Sequence, residues 1–548
     1  MPIDFSKAAF ADVAALNRFS LCNVQPGLFP TGNRRATVST PQQSRSESSI
    51  AINPRNPRNM VGASKKFTNP DAYLFKIGVV YTFDGGQTWG EAALPVDPAW
   101  DCLTDPWVAF DSFGNAFLIA EPDKLVPAKQ GTSSSLDAVG MYAYRSQDGG
   151  QTWEAPRPLD LDAVDDKQCV VCDNNRHSPF YGNVYVVWGA NAPPKFARSS
   201  DHGVTWKGPG NGPPGVIPGI ATSFAPELAV SADGTVHVLW HYPGNAEIWY
   251  VRSTDGGAGF SAPRAVVDGM VSLTGHLPSN YYGDFPHFPD ARFRVLTLVN
   301  DCVASGHILV VTWADMREGH SRIYYRRSLD SGLTWEGPLA GQSLLPNVSY
   351  GEYQCFHPQI AATGTGVIGC AFYVYGPEPG GRRIRVQLAG SWDDGATFDD
   401  FITVTDRPWD PLINAPHSHG DPNLDFIGEY FGLDAGEEDF ALLWTDTRTG
   451  VQELFFDRVA TKRVTCPHVP ELVGTVLGGS LADGTLLIIV GGHLKIVPPR
   501  GPLVEAVNAL VAYEEGGHAP AERQEELRRA ARQAVQRLLE SGGGHQAG

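Results

Sequence analysis

The sequence has no long apolar stretch. Its longest continuous candidate, TLLIIV at 485–490, is far shorter than the roughly 20 residues that a helix needs to cross a bilayer. The first residues, MPIDFSKAAFADVAALNRFS, also lack the basic segment and following apolar segment of a secretory signal peptide. We therefore expect no membrane span, a short helix near the start, and either an internal location or an export signal that is unconventional or already removed.

Basic residues are scarce relative to acidic ones. The chain has 42 Lys and Arg against 60 Asp and Glu, which gives a formal net charge of −18. A protein that binds nucleic acid needs a basic surface to neutralise phosphates, so no nucleic-acid partner is expected. The same charge weighs mildly against a polyanionic substrate, although a local cluster of arginines could override it.

The eight cysteines lack the spacing of a metal site. CVVC at 169–172 lies on a predicted strand, where positions i and i+3 face opposite sides, so neither zinc nor a redox pair fits. Buried free thiols are the expected state. His417, His419 and Asp421 could hold zinc or could belong to an ordinary hydrogen-bonded loop. The spacing favours the loop, so no metal and no cofactor are predicted.

One polar phrase occurs six times. In every copy an Asp is followed two positions later by Gly, and the phrase closes on Trp or Phe. The copies are TFDGGQTW (82–89), SQDGGQTW (146–153), SSDHGVTW (199–206), STDGGAGF (253–260), SLDSGLTW (328–335) and SWDDGATF (391–398). The Asp accepts bonds from the backbone just after it, the Gly supplies a positive φ, and the aromatic residue is expected to be a buried plug. The phrase is therefore predicted to be a structural hairpin turn within a repeat architecture.

A second pattern repeats out of phase with the first. Two apolar strands are joined by a turn, and the second usually closes on Trp or Phe. Seven copies lie at 48–64, 106–120, 181–188, 227–240, 307–313, 359–372 and 430–444. We predict an all-β fold, a β-propeller of seven blades, with six as the alternative because the first copy is irregular. The seventh copy lacks an Asp turn, so RRATVST at 34–40 is expected to supply its missing strand.

The predicted domain order follows from these repeats. Residues 1–30 form a helix and lead-in, and residues 31–460 form the propeller. Residues 461–517 form a short hairpin and a helix, and residues 518–548 form a charged helix with a polar end. This α/β tail includes PAERQEELRRAARQAVQRLLE at 520–540, which is either a solvated helix or a surface for self-association.

The phrase Ser-x-Asp-x-Gly-x-Thr-Trp resembles the Asp-box, or BNR repeat, of the sialidase-like superfamily. Residues 313–335 and 444–458 are similar to blades of bacterial exo-sialidase-like proteins, and the resemblance covers roughly residues 45 to 458. It implies a propeller, a carbohydrate or glycoconjugate partner, and a secreted or cell-surface location. Sialidases of this superfamily carry their first arginine in a Phe/Tyr-Arg-Ile-Pro stretch. In this chain the corresponding segment is SRSESSIAI (44–52), and Arg45 lies near the position of that arginine but does not align with it.

Ionisable residues lead into the inner strands of different repeats. If the strands surround one axis, these side chains converge, and carboxylates held together acquire different pKa values that suit acid and base catalysis. The alternative is that several merely cap strand starts. We predict as catalytic residues Glu47, Asp105, Asp284, Tyr353 and His357, and as substrate-binding residues Arg45, Arg317, Arg448 and Glu429.

Arg317 and Arg448 share an Asp-x-Arg-x-Gly spacing with Asp315 and Asp446. Each arginine is either offered to a sugar carboxylate or pairs with the Asp of its own hairpin. The favoured function is a sialidase-like glycoside hydrolase acting on a terminal, acidic sugar at the mouth of the propeller. The alternatives are a polysaccharide lyase on the same scaffold, using Tyr and His, and a non-catalytic glycan- or protein-binding propeller.

Overall fold

The computed structural model describes residues 23–126, 135–162, 166–242, 245–279, 285–465, 477–480, 486–490 and 493–497. Apart from 3-10 helices at Pro209–Asn211 and Ser418–Gly420, the regular elements of these residues are β-strands, and their sheets are antiparallel. The all-β prediction is confirmed. Within the same residues, no helix has the length and apolarity that crossing a membrane requires.

The described chain begins with two strands that belong to its last large sheet, β1 (Asn23–Pro30) and β2 (Arg34–Arg35). Sheet 1 then contains β3 (Arg45–Ile52), β4 (Met60–Asn69), β5 (Leu74–Thr82) and β6 (Gly90–Ala92). Sheet 2 contains β7 (Cys102–Phe110), β8 (Ala116–Val126), β9 (Ser135–Ala138), β10 (Met141–Ser146) and β11 (Arg157–Asp160). Sheet 3 contains β12 (Gln168–Cys172), β13 (Val184–Trp188), β15 (Lys195–Ser199) and β16 (Gly215–Val216), while β14 (Ala190–Ala192) joins the next sheet.

The later sheets repeat this plan. Sheet 4 contains β17 (Ser223–Val230), β18 (Val236–His241), β19 (Glu247–Ser253) and β20 (Arg264–Asp268). Sheet 5 contains β21 (Asn300–Ala304), β22 (Ile308–Asp315), β23 (Arg322–Ser328) and β24 (Gln342–Ser343). Sheet 6 contains β25 (Gln354–Ala362), β26 (Ile368–Glu378), β27 (Gly381–Ser391) and β28 (Asp400–Thr403). Sheet 7 contains β29 (Gly432–Ala435), β30 (Asp439–Asp446) and β31 (Glu453–Thr465), with β1 and β2 beside β31.

Neighbouring sheets meet at their first strands. β3 contacts β7, β7 contacts β12, and the same relation continues through β17, β21, β25 and β29. The first strand of sheet 7, β29, in turn contacts β3 of sheet 1. Apolar side chains from the second strands fill the spaces between sheets, and Trp188, Trp313 and Trp444 are fully buried there. The alternation of apolar strands read from the sequence therefore corresponds to the buried strands of each sheet.

The last large sheet takes strands from the beginning of the chain. Arg34 pairs with Phe456 and Arg35 with Phe455, which confirms the predicted donor of the missing strand at these residues. The Asp457 carboxylate strengthens the junction. It accepts bonds from the backbone N–H of Thr31 at 2.9 Å and from the Asn33 amide at 2.9 Å. A charged acceptor with several donors is worth more than a neutral hydrogen bond, so Asp457 acts as a clasp.

The six repeated turns share one hydrogen-bond pattern. At Asp148, one carboxylate oxygen accepts the Ser146 hydroxyl at 2.8 Å and the Thr152 N–H at 2.9 Å, and the other accepts the Thr152 hydroxyl at 2.6 Å. Burial opposes it, but these bonds lower the pKa of Asp148. Asp84, Asp201, Asp255, Asp330 and Asp393 are held by the equivalent hydroxyl and N–H bonds. The structural role predicted for the phrase is therefore visible in its local geometry.

The glycine of each turn packs against a neighbouring sheet. Gly150 has φ +95°, and a Cβ there would lie 2.3 Å from the Val61 side chain of sheet 1. Glycine is required both for the left-handed backbone and for this close approach. The closing aromatic residue differs from the expected buried plug. Trp153 and Phe398 are buried, whereas the other four closing aromatic residues are half-buried.

Residues 27–461 form one compact unit. The strands β32 (Leu477–Ser480), β33 (Leu486–Val490) and β34 (His493–Val497) belong to a second unit and form a three-stranded antiparallel sheet. The helices predicted near the start, in the later part of 461–517 and at 520–540 lie outside the described residues.

Replacing Asp148 with Ala removes the acceptor that closes its turn. We expect Asp148→Ala to lower the free energy of unfolding by about 1–3 kcal/mol, because several donors lose a charged partner. The measurement is urea unfolding followed by tryptophan fluorescence. Asp399→Ala, at an exposed carboxylate, is the control and should leave the unfolding midpoint unchanged. Equal midpoints for the two variants would contradict a stabilising role of the turn.

Candidate functional site

A left-handed backbone residue recurs at the start of the inner strands. Glu47, Asp105, Ala225 and His357 have φ values of 51°, 50°, 44° and 49°, and each lies in a break of register between the first two strands of its sheet. Lys167, immediately before β12, has φ 52°. This conformation is uncommon for residues other than glycine and persists where the surroundings impose it. The recurring bulge gives side chains from different sheets one equivalent position.

Residues in sheets 1 and 2 and residues just before sheets 3 and 7 form one buried ion-pair network. The Lys167 ammonium lies 3.3 Å from Glu47 Oε1, 3.2 Å from Asp105 Oδ2 and 2.8 Å from Glu429 Oε2. Glu47 belongs to sheet 1, Asp105 to sheet 2, and Glu429 precedes sheet 7. Buried charges are tolerated only when they are paired, so the network depends on all of these sheets at once.

Two further cations complete the network. Lys65 lies 2.7 Å from Glu47 and 3.4 Å from Asp105, and its ammonium sits 4.5 Å from the centre of the Phe75 ring. The Arg294 guanidinium lies 2.9 Å from Glu429, between the rings of Phe285 and Phe426. We call Glu47, Lys65, Asp105, Lys167, Arg294 and Glu429 the axial charge cluster.

All members of the axial charge cluster except Glu47 line a cavity of about 500 Å³. This volume lies within the usual range for small-molecule sites, about 300–1,000 Å³. The wall combines carboxyl, cationic and aromatic groups, and Glu47 lies behind it, fully buried. The lining residues are Lys65, Tyr73, Phe75, Thr104, Asp105, Glu121, Asp123, Leu136, Asp166, Lys167, Asn191, Phe224, Tyr242, Thr274, Phe285, Arg294, Leu296, His419 and Glu429.

The cavity carboxyl groups have opposite protonation tendencies. Burial would raise the pKa of Asp105, but Lys167 and Lys65 hold that pKa well below its usual range. Burial is likewise outweighed at Glu429, where Arg294 and Lys167 lower the pKa to about 2. At Asp166, burial and the adjacent Asp105 carboxylate raise the pKa well above its usual range, and the two side chains share a hydrogen bond. The cavity therefore holds neighbouring carboxyl groups whose pKa values are shifted in opposite directions.

A second group of carboxyls lies on β8. Burial, followed by the charges of Asp166, Asp123 and Asp105, raises the pKa of Glu121 well above its usual range. Burial raises the pKa of Asp123 to about 7, although its hydrogen bond with Glu121 opposes the shift. These groups are separate from the ion pairs of the axial charge cluster.

The structure brings together only part of the predicted site. Glu47, Asp105 and Glu429 meet in the axial charge cluster. His357 is buried near them without lining the cavity, and burial lowers its pKa to about 3, so the imidazole is neutral. Asp284 lies outside the described residues.

Four predicted residues lie away from the cavity, and their expected positions are corrected. Arg45 is buried beside Gly78 and pairs with Glu91 at 3.1 Å. Tyr353 donates its hydroxyl to the carbonyl of Pro377 at 2.6 Å. The two hairpin arginines are the remaining pair.

Arg317 and Arg448 follow the alternative in which each pairs with its own hairpin. Arg317 is bonded to the Asp315 carboxylate and to the carbonyl of Ala340. Arg448 lies 2.7 Å from Asp446 and 2.6 Å from Asp406. An arginine bonded in this way to a neighbouring carboxylate already has the partner that a sugar acid would have offered.

The sequence reading missed several cavity residues: Lys65, Glu121, Asp123, Asp166 and Arg294. A usable signal was present for Glu121 and Asp123, since both follow the apolar run AFLIA (116–120) within one strand. Charged residues inside an otherwise apolar strand need a partner or a function. For Lys65 and Arg294 the partners are remote in sequence, and no local pattern pointed to them.

The candidate zinc residues behave as loop residues. The His419 ring stacks on Tyr73, with centroids 4.8 Å apart, and on Phe285. Across the part of the chain that the structure describes, no group of three or more His, Cys, Asp or Glu is arranged to hold a metal ion. Cys169 is buried and Cys172 half-buried, and both are free thiols.

The comparison with known families identifies the repeated turn. The BNR/Asp-box repeat family matches residues 144–155. The match covers the copy around Asp148, so the Asp-box resemblance read from the sequence is confirmed there. No curated protein is significantly similar to the chain.

Several solved structures are similar at low identity. A Dyadobacter fermentans protein of unknown function has 12% identity and a TM-score of 0.44, covering 80% of this chain and all of its own (100%). A leech intramolecular trans-sialidase has 13% identity and a TM-score of 0.40, covering 63% of this chain and 67% of its own. The NanB sialidase of Streptococcus pneumoniae has 12% identity and a TM-score of 0.39, covering 62% and 66%. At these values the similarities assign no activity or substrate to this chain.

Lys167→Met tests whether one cation holds the network together. The substitution leaves buried carboxylates without their shared partner, and breaking a buried pair in this way costs about 3–5 kcal/mol. We expect a correspondingly lower free energy of unfolding in urea. Lys124→Met, at an exposed lysine of β8, should leave it unchanged. A Lys167→Met protein as stable as Lys124→Met would contradict the proposed dependence of the sheets on this cation.

Proposed function

We propose that the chain is a glycoside hydrolase that cleaves a terminal sugar in the cavity above the axial charge cluster. The observation that carries the proposal is the contact between Asp105, whose pKa is held low, and Asp166, whose pKa is raised. Glycoside hydrolysis needs one carboxylate and one carboxylic acid, and environments that push two pKa values apart supply them.

The architecture we infer is a seven-bladed propeller. Its support is the seven sheets of four or five strands within residues 23–465 and the succession of contacts between their first strands. In such a ring the first strands surround an axis, and ligand sites form where loops from several blades converge. The cavity, which is lined from several sheets, fits that position.

The proposed roles follow from the contacts. Asp166 transfers its proton to the glycosidic oxygen, because it is the protonated partner of the pair and lines the cavity. Asp105 supplies the negative charge that stabilises the oxocarbenium-like transition state, since a carboxylate in contact with the acid is closer to it than the roughly 5–9.5 Å that separates an acid from a nucleophile or base. Glu47 is fully buried behind Asp105, so it is a positioning residue that holds Lys65 and Lys167 in place. The ring of Phe224, which lines the cavity, is placed to contact the apolar face of a sugar.

The charge of the sugar is a separate question. The expectation of an acidic sugar depended on Arg317 and Arg448, and both are bonded to carboxylates outside the cavity. The cavity arginine, Arg294, already pairs with Glu429. The proposed function is therefore cleavage of a terminal sugar, and the sugar need not carry an acidic group.

The alternatives have less support. A lyase using Tyr353 and His357 would need a hydroxyl and an imidazole at the sugar. The Tyr353 hydroxyl is bonded to a backbone carbonyl, and the His357 imidazole is buried beneath the cavity. A non-catalytic glycan-binding protein would use the same cavity, and only turnover separates it from the hydrolase.

A panel of 4-methylumbelliferyl glycosides tests the proposal. The panel contains both anomers of neutral hexoses, hexosamines and uronic acids, together with the sialic acid derivative. We expect fluorophore release from at least one member. Asp105→Asn and Asp166→Asn should each lower kcat/KM by about 10²–10⁴-fold, the usual contribution of a general acid or base.

The control is Asp399→Asn, which changes an exposed carboxylate and should retain full activity. Thermal melting of each variant separates a catalytic defect from unfolding. Ultraviolet absorbance of unsaturated products from oligouronates, without fluorophore release, would support the lyase instead. Glycan-array binding that survives Asp105→Asn and Asp166→Asn, with no turnover of any substrate, would overturn the enzyme proposal.

A further inference from the structure

Glu121 and Asp123 form a second polar site within the cavity. They are two residues apart on β8, so their side chains extend from the same face of the strand. Only 5% of Glu121 and 4% of Asp123 is exposed, and both line the cavity. Their carboxyl groups are therefore removed from bulk water and accessible to whatever occupies the cavity.

These two carboxyls lack a cationic partner among the described residues. The two carboxyls bond to each other, and no other donor among the described residues reaches the buried oxygens Glu121 Oε2 and Asp123 Oδ2. The cations of the cavity are engaged elsewhere, since both lysines bind Glu47 and Asp105 and Arg294 binds Glu429. A buried acceptor without a donor is costly and calls for an explanation, of which a ligand donor is one.

The placement of charged groups in the cavity also favours a ligand that donates hydrogen bonds to Glu121 and Asp123. Five carboxyl groups line it, and the three cationic side chains form their ion pairs with Glu47, Asp105 and Glu429. Next to Glu121 the neighbours are the carboxyls of Asp166, Asp123 and Asp105, and each of them raises its pKa. Because these carboxyls suppress one another's ionisation, an ammonium bound among them would favour the ionised form of each, whereas a sugar carboxylate would add to the crowding of acidic groups.

The residues that line the cavity indicate which kind of cation it would bind. The described residues offer no arrangement of three or more ligands for a metal ion. Instead, Tyr73, Phe75, Phe224 and Tyr242 line the same cavity, and aromatic rings suit both the apolar faces of a sugar and an ammonium group. An ammonium group has three donors and no acceptor, which complements carboxyl oxygens that lack donors.

We propose that the glycan taken by this cavity carries a free amino group, and that Glu121 and Asp123 bind its ammonium. The proposal rests on the proposed function for the presence of a sugar, and it names the class of that sugar as an amino sugar. Glu121 and Asp123 are specificity residues here, whereas Asp105 and Asp166 remain the catalytic pair.

Matched sugars test the assignment. The methyl glycosides of glucosamine and galactosamine are compared with their 2-acetamido and 2-hydroxy forms, and with the corresponding uronic acids, by isothermal titration calorimetry. We expect the amino form to bind at least about tenfold more tightly, as a charge-assisted hydrogen bond would provide. In the double variant Glu121→Gln, Asp123→Asn, the amino and hydroxy forms should bind almost equally.

The control is Asp137→Asn, which removes an exposed carboxylate on the neighbouring strand β9 and should keep the preference. Thermal melting confirms that the double variant is folded, and the amide replacements preserve the shape of both side chains. Equal binding of amino, acetamido and hydroxy sugars by the unaltered protein would overturn the proposal. Tighter binding of a uronic acid, or an amino preference that survives the double variant, would also overturn it.

The two proposals fail in different ways. A preference for the amino form in binding, with no cleavage of any glycoside, would refute the hydrolase and leave the amino-sugar site intact. Cleavage of neutral or acidic glycosides with no amino preference would refute the amino-sugar site and leave the hydrolase intact.

Discussion

The ammonium of Lys167 is the contact on which the rest of the site depends. It joins carboxylates from sheets 1 and 2 with a third that precedes sheet 7, and it comes itself from the start of sheet 3. An ion buried without a partner of opposite charge would be far too costly. The charges are therefore paired only when the sheets come together, and the sheets can come together only because each buried charge has a partner. The same buried charges therefore stabilise the fold and form the candidate site.

Two kinds of interaction stabilise the unit formed by residues 27–461. The Asp-box turns are local, because each closes within a few residues and repeats with nearly the same bond lengths. The axial charge cluster is non-local, since Glu47 and Glu429 are brought together only by the completed fold. Local turns can form independently of one another, whereas the cluster forms only when distant segments have met. Replacing a turn aspartate thus removes bonds within a single turn, whereas a substitution in the cluster removes bonds between several sheets.

This division also explains how far the sequence could be interpreted. The turns were predictable because their chemistry is contained in eight letters, and the strand pairs because their apolar alternation is local. The convergence of Glu47, Asp105 and Glu429 followed from their equivalent positions in the repeats. Arg317 and Arg448 were misplaced because an Asp-x-Arg spacing fits a ligand site and a self-paired hairpin equally well. Lys65 and Arg294 could not be found, since their partners lie on other sheets and leave no trace in the neighbouring residues.

The clasp between the beginning and end of the large unit has a mechanical consequence. Thr31 donates its N–H to the carbonyl of Arg458, and Ala36 donates its N–H to the carbonyl of Leu454. The two chain segments therefore run antiparallel, and the pair of Thr31 and Arg458 lies at one end of this run of bonds. Force that draws Thr31 away from Arg458 therefore peels the segments apart and breaks their hydrogen bonds one after another instead of all together. The first load falls on Asp457, whose carboxylate holds Thr31, Gly32 and Asn33. Once that carboxylate releases, the load passes along the junction to Glu453, which accepts bonds from the side chains of Thr37 and Gln42.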